Sequence, residues 1–399
     1  MGNLLKDDQL GDIKYIQMHL DTIFKDEELY RKAQLECIKK ILKFHLDNNS
    51  DYRKYFEHFL EVDDFMEKDN FDTYSIPLLP SSIFKRNMNL ASLEETEIIK
   101  KCTSSGTRGS LSIIPRDNDS LMNFFSSITS ILSSMFDISY PGKYKVIILG
   151  PSPKLAGDLW FAYAIASMAL EYNTEFVQDR EGYHIEYLAE RIQEVTQSNQ
   201  EVLIIGPPPR VVDLCNYLKE HNIKAKLNDN SFIITAGGWK RRHNESISKP
   251  EYLNLVSKTL QIRDSNIRDC YNMVELNTVV AECEHHHIHI FPWVDVCVRD
   301  PRTNKVLEDG QAGILAFYDG GAKSYPGFIL SEDYGVVHSG QCECGRIGKR
   351  IQILRRMETV EARGCALKMS TGKEQMQVQE GKNRFHKSVY RNSELLLKR

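Results

Sequence analysis

Three short apolar runs, each closed by a glycine-containing turn and followed by a helix-patterned stretch, constrain this chain more than any other feature. KVIILG leads to LWFAYAIASMAL, EVLIIG leads to VVDLCNYLKE, and SFIITAGG precedes EYLNLVSKTL. Runs that stay apolar at consecutive positions suit strands buried on both faces, and their alternation with helices gives a parallel sheet. The sequence therefore predicts an α/β architecture. The strand ends Gly150-Pro151, Gly206-Pro207-Pro208 and Gly237-Gly238 fall where open α/β sheets gather ligands. Simple turn punctuation is the alternative reading of each.

Residues from about 8 to 70 place apolar side chains at helical spacing, as in IQMHLDTIF and AQLECIKKILKFHL, which predicts an N-terminal helical region ended by Pro77, Pro80 and Ser81-Ser82. An amphipathic stretch follows at Leu121 to Met135. Beyond residue 270 the pattern shortens to HIHIFPWVDVCV, GILAFYD and RIQILRR, which reads as further strands. From Met357 onward charge dominates, and a small lid or mobile tail is expected.

Charge narrows the function classes. Fifty-one basic and 55 acidic residues give a net charge of -4 with no basic block, which excludes the footprint of a nucleic-acid binder. The N-terminus lacks a secretory pattern and no apolar run nears the roughly 20 residues that cross a bilayer, so a soluble, cytoplasmic protein without a membrane partner is expected. Nine scattered cysteines fit reduced thiols and metal ligands better than a disulfide framework.

Two clusters carry chemistry. Thr103-Ser104-Ser105-Gly106-Thr107-Arg108-Gly109 concentrates hydroxyls, glycines and a guanidinium in seven positions, as a loop that wraps a polyphosphate requires. It lacks the Gly-Lys-Ser/Thr ending of a Walker loop, and composition alone favours a solvated Ser/Gly loop. Cys283, His289, Cys342 and Cys344 form the second cluster. Cys342-Glu343-Cys344-Gly345 is a two-thiolate knuckle, and Cys283 with His289 would complete a tetrahedron around Zn²⁺. His285 to His287 are either a further ligand source or an exposed polar turn.

The segment TSSGTRG resembles the phosphate loop of the adenylate-forming superfamily. Tyr271-Asn272-Met273-Val274-Glu275 resembles that superfamily's Tyr-x-x-x-Glu element, and Asp333 in FILSEDYG falls at its ribose-binding acid. NNSDYRKY, LPSSIFK, LIIGPPP, FIITAGGWK, IRDCYNMVELNT, PWV and ILRRMETVEARGCALKMS narrow the likeness to the acyl-protein synthetase (LuxE) family, over nearly the whole chain. The Cys-x5-His and Cys-x-Cys-Gly-Arg halves are similar to the structural zinc motif of phenylacetate-CoA ligase-like enzymes, a sister branch.

The resemblance implies an adenylate-forming α/β core at 76–346, an N-terminal helical region at 1–75 and a short C-terminal lid at 347–399. It implies activation of a carboxylic acid, long-chain fatty or aromatic, by Mg-ATP to acyl-AMP. Thr103, Ser104, Ser105, Gly106, Thr107, Gly109, Gly237, Gly238, Tyr271, Asn272 and Asp333 would bind ATP, and Glu275 would orient Mg²⁺. Cys365, flanked by Arg363 and Lys368, would accept the acyl group as a thioester for an acyl reductase partner; coenzyme A is the alternative acceptor. Lys368, Lys373 and Lys240 are candidate basic groups at the adenylate, and Trp239 is a candidate wall of the acyl pocket. A binding subunit that keeps the fold without catalysis is the remaining alternative.

Overall fold

The computed structural model describes residues 5–67, 71–85, 90–104, 111–138, 141–167 and 173–357 of the 399. Its centre is a twelve-stranded sheet. Five neighbouring strands run parallel, in the order Asn173–Gln178, Lys145–Pro151, Val202–Gly206, Phe232–Ala236 and Ile267–Tyr271. The sheet then continues antiparallel through Val280–Glu282, Ile288–His289, Arg350–Arg356, Phe328–His338, Ala312–Asp319 and Val294–Arg299.

Every residue of Val202–Gly206 is buried, because apolar side chains meet packed layers on both faces. On one face, Ile147, Ile204 and Ile233 meet Val211, Leu214 and Val256 from the helices Pro208–Glu220 and Lys249–Leu260. The second of these helices starts at a reciprocal cap between Ser248 and Glu251. On the other face, Ile148, Ile205 and Ile234 meet Phe124, Leu132 and Phe136 from Asn118–Ser130 and the turn after it. Each of these large apolar side chains contributes roughly 1.5–3 kcal/mol on burial.

The expected N-terminal helices are present, the longest being Glu27–Asn48, capped by Asp26. Its buried positions Tyr30, Ala33, Cys37 and Ile41 recur at three- and four-residue steps, which lays one stripe against the antiparallel half of the sheet. Tyr30 Oη donates to Ile290 O at 2.9 Å and Gln34 Nε2 to Val294 O at 2.6 Å, fixing the docking.

Two connections place the chemistry. The hairpin Lys100–Thr103 / Ile113–Arg116 stands apart from the large sheet and carries the Ser/Thr/Gly loop at its tip. The turn after Ile267–Tyr271 lies where the sheet changes from parallel to antiparallel pairing, a crevice at the carboxyl ends of strands.

Candidate active site and metal centre

Thr103 and Ser104 are described, whereas Ser105, Gly106, Thr107, Arg108 and Gly109 lie outside the described residues, as do Arg363, Cys365, Lys368 and Lys373. The base of the loop is closed by Ser104 N donating to Ser112 O at 3.1 Å and Ser112 N donating to Ser104 Oγ at 3.0 Å. Thr103 is tied to Asp158 O through both its N–H and its hydroxyl.

Glu275 sits in a tight turn closed by Leu276 N donating to Met273 O at 2.9 Å. It is buried, and its Oε1 accepts from Ser112 Oγ at 2.6 Å. Burial pushes its carboxyl above the ordinary range, with the Ser112 hydroxyl acting in the opposite sense. Beside it, Tyr271 Oη donates to Asp333 Oδ2 at 2.7 Å. Burial also raises the Asp333 carboxyl, opposed by the nearby Arg356 guanidinium and this hydrogen bond. Asn272 Nδ2 donates to Leu276 O and Thr278 O, which locks the turn to the next strand.

Side chains with no motif around them hold this turn in place. Arg116 is fully buried; its Nη2 donates to Val274 O at 2.8 Å and Leu276 O at 3.2 Å, and its Nε to Asn277 Oδ1 at 2.9 Å. Asn277 N in turn donates to Asp319 Oδ2 at 2.7 Å. Sequence reasoning missed Ser112, Arg116 and Trp160. The one signal available was the position of Ser112 and Arg116 just past the loop, at the two ends of the hairpin's return strand.

Thr103, Ser104, Ser112, Tyr271, Asn272, Glu275 and Asp333 open onto one cavity of about 1640 Å³, which Gly237, Gly238 and Trp239 also line. The glycines take φ of 80° and 59°, a conformation that side chains disfavour and that lets backbone face the cavity. One stretch of the remaining wall is apolar, with Phe124, Ile128, Leu132, Trp160, Ile205 and Ile234, while Glu282, Arg350 and Arg356 line another. Gly206 and Gly150 do not line it: a side chain on Gly206 would meet Leu149 Cβ at 2.5 Å, so this glycine serves close packing. Asp269, another missed residue, lines the cavity below Tyr271; burial first and Glu282 second push its carboxyl up to about 7.

Cys283, His289, Cys342 and Cys344 come together from three separate segments, with all four ligand atoms within 4.8 Å of one another. Cys283 Sγ lies 3.9 Å from Cys342 Sγ, and Cys344 Sγ lies 3.4 Å from His289 Nε2. A tetrahedral zinc site sets sulfurs about 3.8 Å apart and sulfur to nitrogen about 3.5 Å, so the donor set and spacing fit that ion. Backbone turns set the ligand positions: Cys283 N donates to His287 O, Cys342 N to Arg346 O, and Gly345 takes φ 85° at the knuckle. Of the flanking triplet, His287 Nδ1 approaches Cys342 Sγ at 3.2 Å, while His285 and His286 pair with Glu343 and Glu282.

No helix among the described residues is long and apolar enough to cross a membrane. The eight described cysteines are all free thiols.

Comparison with known proteins places the chain in a family and a fold. The family model described as "Acyl-protein synthetase, LuxE" matches residues 10–373. The long-chain-fatty-acid–luciferin-component ligase of Aliivibrio fischeri is 32% identical over 379 residues, covering 92% of this chain and 95% of that protein. The protein of the same name from Vibrio harveyi is 33% identical over 339 residues, covering 84% and 86%. Among solved structures, 2-hydroxyisobutyryl-CoA ligase in its open conformation superposes with a TM-score of 0.63 at 14% identity, over 84% of this chain and 76% of that one. The same enzyme in its thioesterification state gives 0.64 at 14% identity, over 84% and 70%. The fold is therefore that of the adenylate-forming CoA ligases.

Proposed function

This chain belongs to the LuxE family of acyl-protein synthetases, and from that premise we propose that it activates a long-chain fatty acid with ATP and passes the acyl group to a thiol. The observation that carries the reading is that hydroxyls, Glu275 and Asp333 adjoin an apolar stretch of wall in one cavity. Such a space holds a charged nucleotide and an acyl chain with their reactive ends in contact.

In the first step a carboxylate oxygen of the acid attacks the α-phosphorus of ATP. The bond to the bridging oxygen breaks, and pyrophosphate leaves with that electron pair, giving acyl-AMP. The protein's task is positioning and charge stabilisation. Thr103, Ser104, Ser105, Gly106, Thr107 and Gly109 bind the phosphates, Asp333 accepts from the ribose hydroxyls, and Gly237, Gly238, Tyr271 and Asn272 flank the nucleotide. Glu275, once ionised, would hold Mg²⁺, and the ion would supply neutralisation of phosphate charge.

In the second step the thiolate of Cys365 attacks the acyl carbonyl, a C–S bond forms, and AMP departs with the C–O electron pair. Arg363 and Lys368 stand close in sequence and favour the thiolate. The thioester then passes to a cysteine of an acyl reductase partner. Coenzyme A is the competing acceptor, and the Cys283, His289, Cys342 and Cys344 cluster, read as structural zinc as in the CoA-ligase branch, is what favours it. Free thiols and the lack of a spanning helix among the described residues support a cytoplasmic location.

The test incubates the purified protein with Mg-ATP and radiolabelled long-chain acid without coenzyme A. Hydroxylamine-labile label on the protein that is lost in Cys365→Ser, with pyrophosphate exchange retained, supports the reading. Exchange without protein label, and turnover only when coenzyme A is added, moves the acceptor to coenzyme A. Absence of any acid-dependent exchange overturns the proposal.

A further inference from the structure

We infer that Trp160 is a positioning residue that ties the acyl wall of the cavity to the turn bearing Glu275, an inference that rests on the acid-activating reading above. Its indole Nε1–H donates to Asn272 Oδ1 at 2.7 Å. The amide of Asn272 is committed on its other side to Leu276 O and Thr278 O, so it cannot rotate away without breaking two further bonds. The indole thus holds the first residue of the turn.

Arg116 holds the rest of it. Its guanidinium lies 3.6 Å from the centre of the Trp160 ring while donating to Val274 O, Leu276 O and Asn277 Oδ1. Arg116 Nη1 is buried without a hydrogen-bond partner, and the indole face adds to the compensation that the Asp319 carboxyl gives the buried cation. Stacked together, Trp160 and Arg116 grip the turn from Asn272 to Asn277.

Substrate reaches the same side chain. Trp160 and Phe124, whose ring centres are 4.2 Å apart, both line the apolar part of the cavity. An acyl chain seated there packs against the indole, and any displacement of the ring is transmitted to Asn272 and to Tyr271, whose hydroxyl contacts Asp333. A buried tryptophan needs some acceptor for its N–H. That the acceptor is the turn of the reacting site makes the contact a coupling between chain binding and nucleotide geometry.

Trp160→Phe keeps an aromatic wall and removes the donor. Acid-dependent pyrophosphate exchange is expected to show kcat lowered about tenfold with KM for the long-chain acid within about twofold, whereas Trp160→Leu also raises that KM. Wild-type kcat and KM in Trp160→Phe overturn the inference, and so does a loss of folded fraction with normal kcat per folded molecule. Should the variants fail to fold, wild-type protein labelled at its three tryptophans still decides. The inference requires an indole N–H resonance other than that of Trp239 and Trp293, identified by substituting those two, to move when acid is added without ATP; an unmoved resonance overturns it. If wild type itself shows no exchange, the acid-activating reading has failed instead.

Discussion

Ser112 Oγ lies 2.6 Å from Glu275 Oε1, so the strand leaving the Ser/Thr/Gly loop holds the carboxylate of the Tyr271–Glu275 turn. Because Ser112 N is also bonded to Ser104 Oγ, the two ends of the loop meet at the residue that holds this carboxyl. Loop and turn are 163 residues apart in sequence, and this contact makes them one site.

That geometry sets a pH dependence. Burial raises the Glu275 carboxyl above its ordinary value of 4.5. A raised folded-state value means that this group's contribution to stability is complete below 4.5 and is lost as pH rises through the folded value. Glu275→Gln, which carries no charge to desolvate, is therefore expected to melt at or above the wild-type temperature at neutral pH. The margin should shrink toward pH 4.5, and pyrophosphate exchange should fall by about 100-fold or more. Thermal melts across pH check the sign; a variant less stable than wild type at neutral pH contradicts it.

Removing the hydroxyl of Tyr271 should act on nucleotide binding. Tyr271→Phe deletes the bond to Asp333 Oδ2 but leaves the ring against Phe317. KM for ATP is expected to rise about five- to tenfold, the worth of roughly 1 kcal/mol of lost hydrogen bonding, with KM for the acid unchanged. Steady-state exchange assays at varied ATP and acid separate the two.

The sulfur and imidazole cluster should carry metal. Protein prepared without chelator is expected to hold about one zinc per chain by elemental analysis, since three thiolates and one imidazole at these spacings make a closed structural site. Cys342→Ser or Cys344→Ser should lower that content and the melting temperature together. Full stability in a metal-free preparation would argue against the assignment.

Chain-length preference should respond to the apolar wall. Ala164 lines the cavity among larger apolar residues, and Ala164→Phe adds bulk there. The expected outcome is a KM increase for long-chain acids with little change for short ones. Equal effects on both would place the acyl chain elsewhere.

Much of this was legible in the residues. Consecutive apolar positions in KVIILG and EVLIIG produce strands at Lys145–Pro151 and Val202–Gly206, and the stripe from Tyr30 to Leu46 produces the helix Glu27–Asn48. The strand Asn173–Gln178 escaped notice because four of the six residues of NTEFVQ are polar, as an edge strand with one partner can be. Arg116 and Trp160 escaped for another reason. A single arginine or tryptophan has no pattern, and their roles arise from partners distant in sequence, Val274 and Asn272.

Sequence by itself determined the alternation of strands and helices, the loop and turn that carry the polar groups, and the four side chains able to bind zinc. Backbone propensity, periodicity and donor chemistry are local properties, so they survive in a linear reading. Only the tertiary structure decided that Ser112 meets Glu275, that Trp160 and Arg116 clamp the turn, and that Cys283, with His289, faces Cys342 and Cys344. Those contacts depend on the register of a sheet that brings distant strands side by side, and burial then turns each contact into a shifted carboxyl, a compensated cation or a ready-made ligand set.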